Sequence, residues 1–465
     1  MSKNRFIKIL LPSIMLTFGS QAFAYTLHEA VSHTLANSPD LLSVTNNRDK
    51  VDKELRESYS GYLPTLDMSA GWGEQWANNS NTRILDPIAG GSSGSKTLAR
   101  TEFSLLASQM LFDGFAVYHD VEGHKARVRA QSWRVNGQAQ DLALKAANAY
   151  LDVQLQRELV QVNKDNFNAH HRLFGQIHKR SEGGIGRKAD LDQAEARVAL
   201  SETNLIRTEG NLHDSETAFL RQVGTPTPSH LVRVTAPHPF PSSETEAVEM
   251  ALRYNPIFRA SVEDVVVTRE KHKGAKSNFV PRFDLQLEIS RNHNIDGAIG
   301  RSDDAYAMVR MHWNLFNGGK DLAKICETAF EMQEAQEIQN RARREVIDTV
   351  RRAWVRYTVA KRQSRALGNH VSASTRTMGA YEKQFNIGQR TLLDLLDAEN
   401  ELYTAKLEMI KAKYTQVNAM FEVLSTMGAL AEYFNVPLPE QATPRPTGVM
   451  DGSMRFFNRS TPFFD

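Results

Sequence analysis

The sequence predicts a mixed, mainly α-helical chain that is internally duplicated, with long coiled-coil helices continued by a β-barrel to which each protomer gives four strands. Three observations predict it: a repeat at nearly constant offset, four segments that alternate apolar and polar residues, and a seven-residue apolar period late in the chain.

The chain starts with an export signal. Lys3, Arg5 and Lys8 precede an apolar run from Ile9 to Phe18 and then Ala22-Phe23-Ala24, the spacing of a signal-peptidase site. The run is short of the ~20 residues a spanning helix needs, so residues 1–24 are expected to be removed rather than kept as an anchor. Of the formal net charge of +2, these three cations account for enough that the mature chain carries −1. Nothing in that balance calls for nucleic acid. Cys326 is the single cysteine, which excludes a disulfide within the chain and leaves no lipid acceptor at the cleavage site.

The duplication is read from matched residues. Pro39, Pro64 and Asp67 recur as Pro256, Pro281 and Asp284, each 217 positions later. Leu111-Phe112-Asp113-Gly114 then recurs as Leu315-Phe316-Asn317-Gly318 at an offset of 204, which also relates Gly184 to Gly388, Asp190 to Asp394 and Gly224 to Gly428. The change of offset falls where the first half holds Asn78 to Asn81 and the Gly/Ser run 90–95, the composition of an exposed loop. Five prolines between 225 and 243 mark the junction of the halves. The expected organisation is a signal peptide (1–24), a first repeat (25–224), a linker (225–243), a second repeat (244–436) and a flexible tail (437–465).

Each repeat reads as helix, hairpin, long helix, helix. Leu27 to Tyr62 reads as one helix that stops at Pro64. Leu66, Met68, Ala70 and Trp72 then alternate with Asp67, Ser69, Gly71 and Gly73, and Phe103, Leu105, Ala107 and Leu111 form the return strand. In the second repeat Leu285, Leu287 and Ile289 are followed by Ala307, Val309, Met311 and Trp313 in the same alternation. Soluble hairpins are the commoner use of such a pattern. Strands of ~9 to 11 residues with Trp72, Trp76 and Trp313 as interfacial aromatics fit a membrane barrel better. Asp113 and Asn317 are the expected N-caps of helices running roughly 115–180 and 320–383. At 1.5 Å per residue these reach ~100 Å. Leu396, Tyr403, Ile410, Val417 and Leu424, with Leu407, Tyr414 and Phe421, form the seam of a left-handed coiled coil. Four strands cannot close a barrel in lipid, so several copies must assemble.

Signal peptide, hairpins and coiled coils written twice resemble the TolC-like outer-membrane efflux proteins over nearly all of the chain from Tyr25 to about Val436. The most specific stretch is Phe385 to Asn400, FNIGQRTLLDLLDAEN, similar to the family's helix-turn signature at the periplasmic tip. The resemblance implies a homotrimer with a twelve-stranded barrel in outer-membrane lipid, no cofactor and no enzymatic activity. Its partners would be a periplasmic adaptor and an inner-membrane transporter, of ABC type if the chain serves type I secretion of a large protein such as an adhesin or toxin. Multidrug or small-molecule efflux is the alternative, and a periplasmic coiled-coil scaffold or adaptor is the alternative of another class.

At the tip, Gly184 and Gly388 occupy matched turn positions and, with Thr391, would meet the adaptor. Asp394 and Asp397 share one helix face, so trimerisation would make each a ring of three carboxylates. By resemblance these rings form the entrance constriction, with Arg390 as counter-charge and Asp190 as its partner. Phe385 stands where the best-known members carry tyrosine, which removes a hydroxyl contact. His170-His171 and the other histidines lack metal-ligand spacing, and the Gly183-Gly184-Ile185-Gly186 run lacks the strand that a phosphate loop requires.

Overall fold

The computed structural model describes residues 25–80, 82, 94–184 and 187–444. The export signal, part of the first hairpin loop and the tail beyond 444 lie outside the described residues. Two short helices open the first repeat, α1 (Leu27–Asn37) and α2 (Pro39–Tyr59), not the single helix expected. Ser38 is extended (ψ 122°) because the ring of Pro39 disfavours helix in the preceding residue, while Pro39 itself starts α2 at a position where its missing N–H costs nothing. The second repeat does the same at Asn255 and Pro256, between α5 (Glu244–Tyr254) and α6 (Pro256–Ala275).

The strands are longer than expected: β1 (Thr65–Asn78, 14 residues), β2 (Ser95–Phe112, 18 residues), β3 (Arg282–His293, 12 residues) and β4 (Arg301–His312, 12 residues). They form one antiparallel sheet in the order β1-β2-β3-β4. Register places Leu66, Ala107, Leu287 and Ala307 in one row, and Met68, Leu105, Ile289 and Ala305 in the next. The intervening row reads Asp67, Leu106, Glu288 and Tyr306. One face is therefore apolar and the other mostly polar. The apolar face is bare: Leu66, Met68, Ile289 and Val309 are each more than half exposed. With both outer strands unpaired along one edge, the sheet presents a bare apolar face and two open edges.

The long helices α3 (Ala116–Glu182) and α7 (Lys320–Asn386) have 67 residues each. The N-cap of α3 is Phe115, in the left-handed conformation, and not Asp113 as expected, although the Asp113 carboxylate accepts from Val117 N at 2.8 Å from two residues before it. Asn317 does not repeat this: its backbone carbonyl, not its side chain, accepts from Lys320 N, and α7 begins at Gly319 in a left-handed conformation. Each long helix packs antiparallel on a shorter one, α4 (Lys188–Val223) and α8 (Leu392–Thr426). The heptad positions Leu396, Ile410, Tyr414, Val417, Phe421 and Leu424 are buried, but so is a second stripe, Ala398, Ala405, Ala412 and Ala419. Two buried stripes are needed because α8 packs against both α7 and α3.

The main core lies at the equator of the helical part. There Tyr150 is fully buried and its hydroxyl donates to the carbonyls of Tyr25 (2.7 Å) and Val232 (2.8 Å), tying the linker across α3. The described start of the tail is held rather than loose. Ala442 is buried and Gln441 donates to Asp49 at 3.1 Å.

Candidate functional site: the periplasmic tip

Both helix pairs turn at glycines in the left-handed region, Gly184 (φ +74°) and Gly388 (φ +78°), with open space around each. A side chain there would strain the backbone without meeting a neighbour, so conformation, not packing, selects glycine.

The second turn is rigidified by a capping box. Thr391 Oγ1 accepts from Asp394 N (3.2 Å), and Asp394 Oδ2 accepts from Thr391 N (3.1 Å) and Oγ1 (2.8 Å). Hydrogen bonds from the Thr391 side chain, then from its backbone N–H, with Arg390 nearby, hold the Asp394 carboxyl below the usual range. Asp394 is thus a helix cap as well as a candidate ring carboxylate, while Asp397, one turn on, is exposed.

Arg390 is clasped within its own chain. Its guanidinium lies 4.3 Å from the Tyr381 ring centroid, Nε donates to Gln384 Oε1 at 3.1 Å, and the carboxylate it faces is Asp394 at 3.8 Å. No ion pair joins Arg390 to Asp190 within one chain. Phe385 is 6% exposed, packed with Leu173, Ile177, Ala194 and Leu396, and Arg180 sits over its ring at 5.0 Å. The aromatic ring thus anchors the tip core, a role that needs no hydroxyl.

A further pair lies just behind the tip. His170 on α3 and Glu399 on α8 are 8% and 12% exposed, with Nδ1 and Oε2 3.7 Å apart, and His170 Nδ1 has no hydrogen-bond partner. Burial pushes the Glu399 carboxyl up to about 7, opposed by Arg172 and aided by Glu382. Burial, then Arg197, lowers the His170 imidazole. Both shifts favour the uncharged forms at this buried contact between the two helix pairs. No metal-ligand spacing marks it in the sequence; its signal was the reach of His170 into the seam between α3 and α8, which only the packing reveals.

In the sheet, Trp72 is level with Arg301 through Thr101 and His293, and Trp313 follows the last residue of β4. The stretch from 301 to 313 covers ~40 Å along the strand, or ~30 Å across a bilayer at the usual tilt. Trp76 lies further out on the same face. Exposed Phe112, Phe115, Phe279 and Phe316 cluster around the hairpin roots, where strand alternation has ended and offers no pattern to read.

The outer membrane efflux protein family model matches residues 30–225 and 247–429, one segment in each repeat. The chain belongs to this family. The efflux protein BepC of Brucella suis is 23% identical over 91% of this chain and 89% of its own length. The alkaline protease secretion protein AprF of Pseudomonas aeruginosa is 23% identical over 93% of this chain and 90% of its own. The solved structure of CusC superposes with a TM-score of 0.75 at 15% identity, covering 92% of this chain and 98% of that one. The protein is accordingly an outer-membrane channel of the kind used in tripartite export, with its helices in the periplasm and the trimeric barrel architecture of that fold. Family and fold are those of channels, not enzymes, and the soluble scaffold considered from sequence is set aside.

Proposed function

We propose that this outer-membrane efflux family channel is the exit duct for a large protein delivered by type I secretion, docked through its helix tips to a periplasmic adaptor and an ABC-type transporter. The tip carries the proposal. Its second turn, Gly388 to Asp397, combines a left-handed glycine, a capping box and two acidic side chains on one helix face. Similarity to AprF, named for protease secretion, supports this reading, and similarity to BepC, named for efflux, supports export of small molecules as the second one.

In the gate proposed here, rings of Asp394 and Asp397 narrow the entrance, and Arg390 and Asp190 hold neighbouring helix ends together across protomers. The Arg390 side chain already meets its own chain's Tyr381, Gln384 and Asp394, so only its exposed side is left to reach across. Gly184, Gly388 and Thr391 form the adaptor-facing turns, and Trp72 and Trp313, with Trp76 beyond, the lipid-facing aromatics. In planar bilayers Arg390→Ala and Asp190→Ala should each raise closed-state conductance; wild-type conductance in both would refute the gate. Cargo is tested by deletion: loss of one large secreted protein with unchanged drug susceptibility supports secretion, and the converse supports efflux.

A further inference from the structure

The first hairpin outreaches the second. Pairing between β2 and β3 ends at Thr101 and His293, while β1 and β2 stay paired out to Asn78 and Ser95. The loop joining β3 to β4, residues 294–300, does not rise beside this extension. It folds onto it.

The contacts are specific. Asp296 N donates to Gln75 Oε1 at 3.0 Å, and Gln75 Nε2 donates back to Asp296 Oδ1 at 3.1 Å. Asn79 Nδ2 donates to the Asp296 carbonyl at 2.7 Å, and Arg100 lies 3.5 Å from the same carboxylate. Asn294 Nδ2 donates to Ala99 O at 2.8 Å. Asn294 (φ +54°) and Asp296 (φ +48°) are both left-handed, a conformation that costs energy in residues other than glycine and persists where surrounding contacts hold it.

Register decides which face the loop covers. Gln75 shares a face with Gly73, Gly71, Ser69 and Asp67, and Arg100 shares it with Glu102 and Ser104. This is the polar face, opposite Leu66, Met68 and Ile289, and in the channel reading on which this step rests it lines the lumen. We propose that residues 294–300 form a lid folded over the lumenal side of the extracellular mouth, with Asp296 as the pin that sets the size of solute admitted from outside. Three copies narrow one mouth. The pin consists of polar contacts in a water-filled space, each weak in net terms, so the lid opens far more readily than paired strands separate.

The test reads access from outside and does not depend on the periplasmic gate. Ser290, on the same polar face below the loop, is replaced by cysteine in a Cys326→Ser background, and intact cells are treated with a small charged maleimide or a large polyethylene-glycol maleimide. The small reagent should label Ser290→Cys quickly and the large one slowly. Adding Asp296→Ala or Gln75→Ala, each removing one side of the pin, should speed the large reagent about tenfold, equivalent to ~1.4 kcal/mol, while leaving the small one unchanged. Equal large-reagent rates with and without these changes, in variants that still form trimers, would overturn the lid while leaving the channel intact. Failure of even the small reagent to label would overturn the lumenal placement of this face, and the lid with it.

Discussion

Replacing Glu399 with glutamine should abolish a pH dependence that the wild-type tip carries near neutrality. The Glu399 carboxyl is 12% exposed and sits at the contact of α3 and α8, where burial raises it from the ordinary 4.5 to about 7. A folded-state value raised in this way means that the stabilising contribution is complete below the unfolded value and is lost as pH rises through about 7. The difference corresponds to at most ~3 kcal/mol, with water entry and relaxation reducing it. His170 works in the opposite direction. Its lowered pKa means that the neutral ring is favoured and that stability falls on acidification below the ordinary histidine range. The contact is therefore most favourable with one proton on the pair, in a window that closes just above neutrality. The charged groups that face it are Arg172 on α3, Arg197 on α4, Glu382 on α7 and Lys406 on α8. Hydrogen exchange of detergent-solubilised trimer, corrected for intrinsic rates, should show the segment 392–404 losing protection between pH 6 and pH 8, by up to ~10-fold. Glu399→Gln, a neutral isostere, should be at least as well protected as wild type at pH 6 and hold that protection unchanged at pH 8. Parallel profiles for the two proteins would refute the assignment of the neutral carboxyl to this contact.

Other perturbations separate capping, backbone and core effects. Thr391→Ala removes the side-chain half of the capping box, leaving the backbone N–H bond to Asp394, and should destabilise the first turn of α8 by ~1 kcal/mol, read as faster exchange at 392–395, whereas Thr391→Ser should restore it. Gly388→Ala meets no atom within 4 Å, so its cost should be the ~1 to 2 kcal/mol of a left-handed alanine, with the trimer intact and the tip exchange accelerated. Tyr150→Phe removes the donor shared by the Tyr25 and Val232 carbonyls, which keep the Val232 N–H and the Gln154 amide respectively, and should lower the melting temperature through a loss of ~1 kcal/mol, leaving single-channel conductance unchanged.

What could be read from sequence was what local periodicity encodes. Alternation at Leu285, Leu287 and Ile289 identified a strand face, and register then showed that the rows align across all four strands. The Leu396 to Leu424 heptad identified one seam of α8. The second, of Ala398, Ala405, Ala412 and Ala419, follows the same period but is built of a residue that any helix favours, so its burial carries no signal until the third helix is in place. The break at Ser38 was available in Pro39, and the apolar pattern ran through it unbroken because α1 and α2 bury the same side. Asp394 and Thr391 stood in the right order for a capping box, yet the clasp of Arg390 by Tyr381 needed the turn to bring two helices together. His170 and Glu399 are 229 positions apart and meet only because antiparallel pairs pack side by side.

The duplication also shows where a neighbouring copy must sit. Within one chain α6 packs on α7, its own repeat's long helix, and more extensively on α3 of the other repeat, through Arg129 with Glu263 and Arg134 with Asp264. The corresponding short helix α2 packs on α3 but has no second long helix to meet in its own chain. The unmatched surface is on α7. Phe330 (69% exposed) and Ile338 (41% exposed) lie 204 positions after Ala126, which is fully buried, and Arg134, which α6 covers. Val355, 54% exposed, likewise corresponds to Leu151, 3% exposed. In a closed ring of six similar repeats every long helix needs two short ones, and the only short helix left over is the α2 of the next protomer. Ile338→Glu should therefore weaken trimer assembly, seen as monomer on native electrophoresis. The same charge at the exposed Leu42 of α2 should do likewise, because Leu42 corresponds to Arg259 of α6, which lies over Trp133 of α3 in the matching contact within one chain.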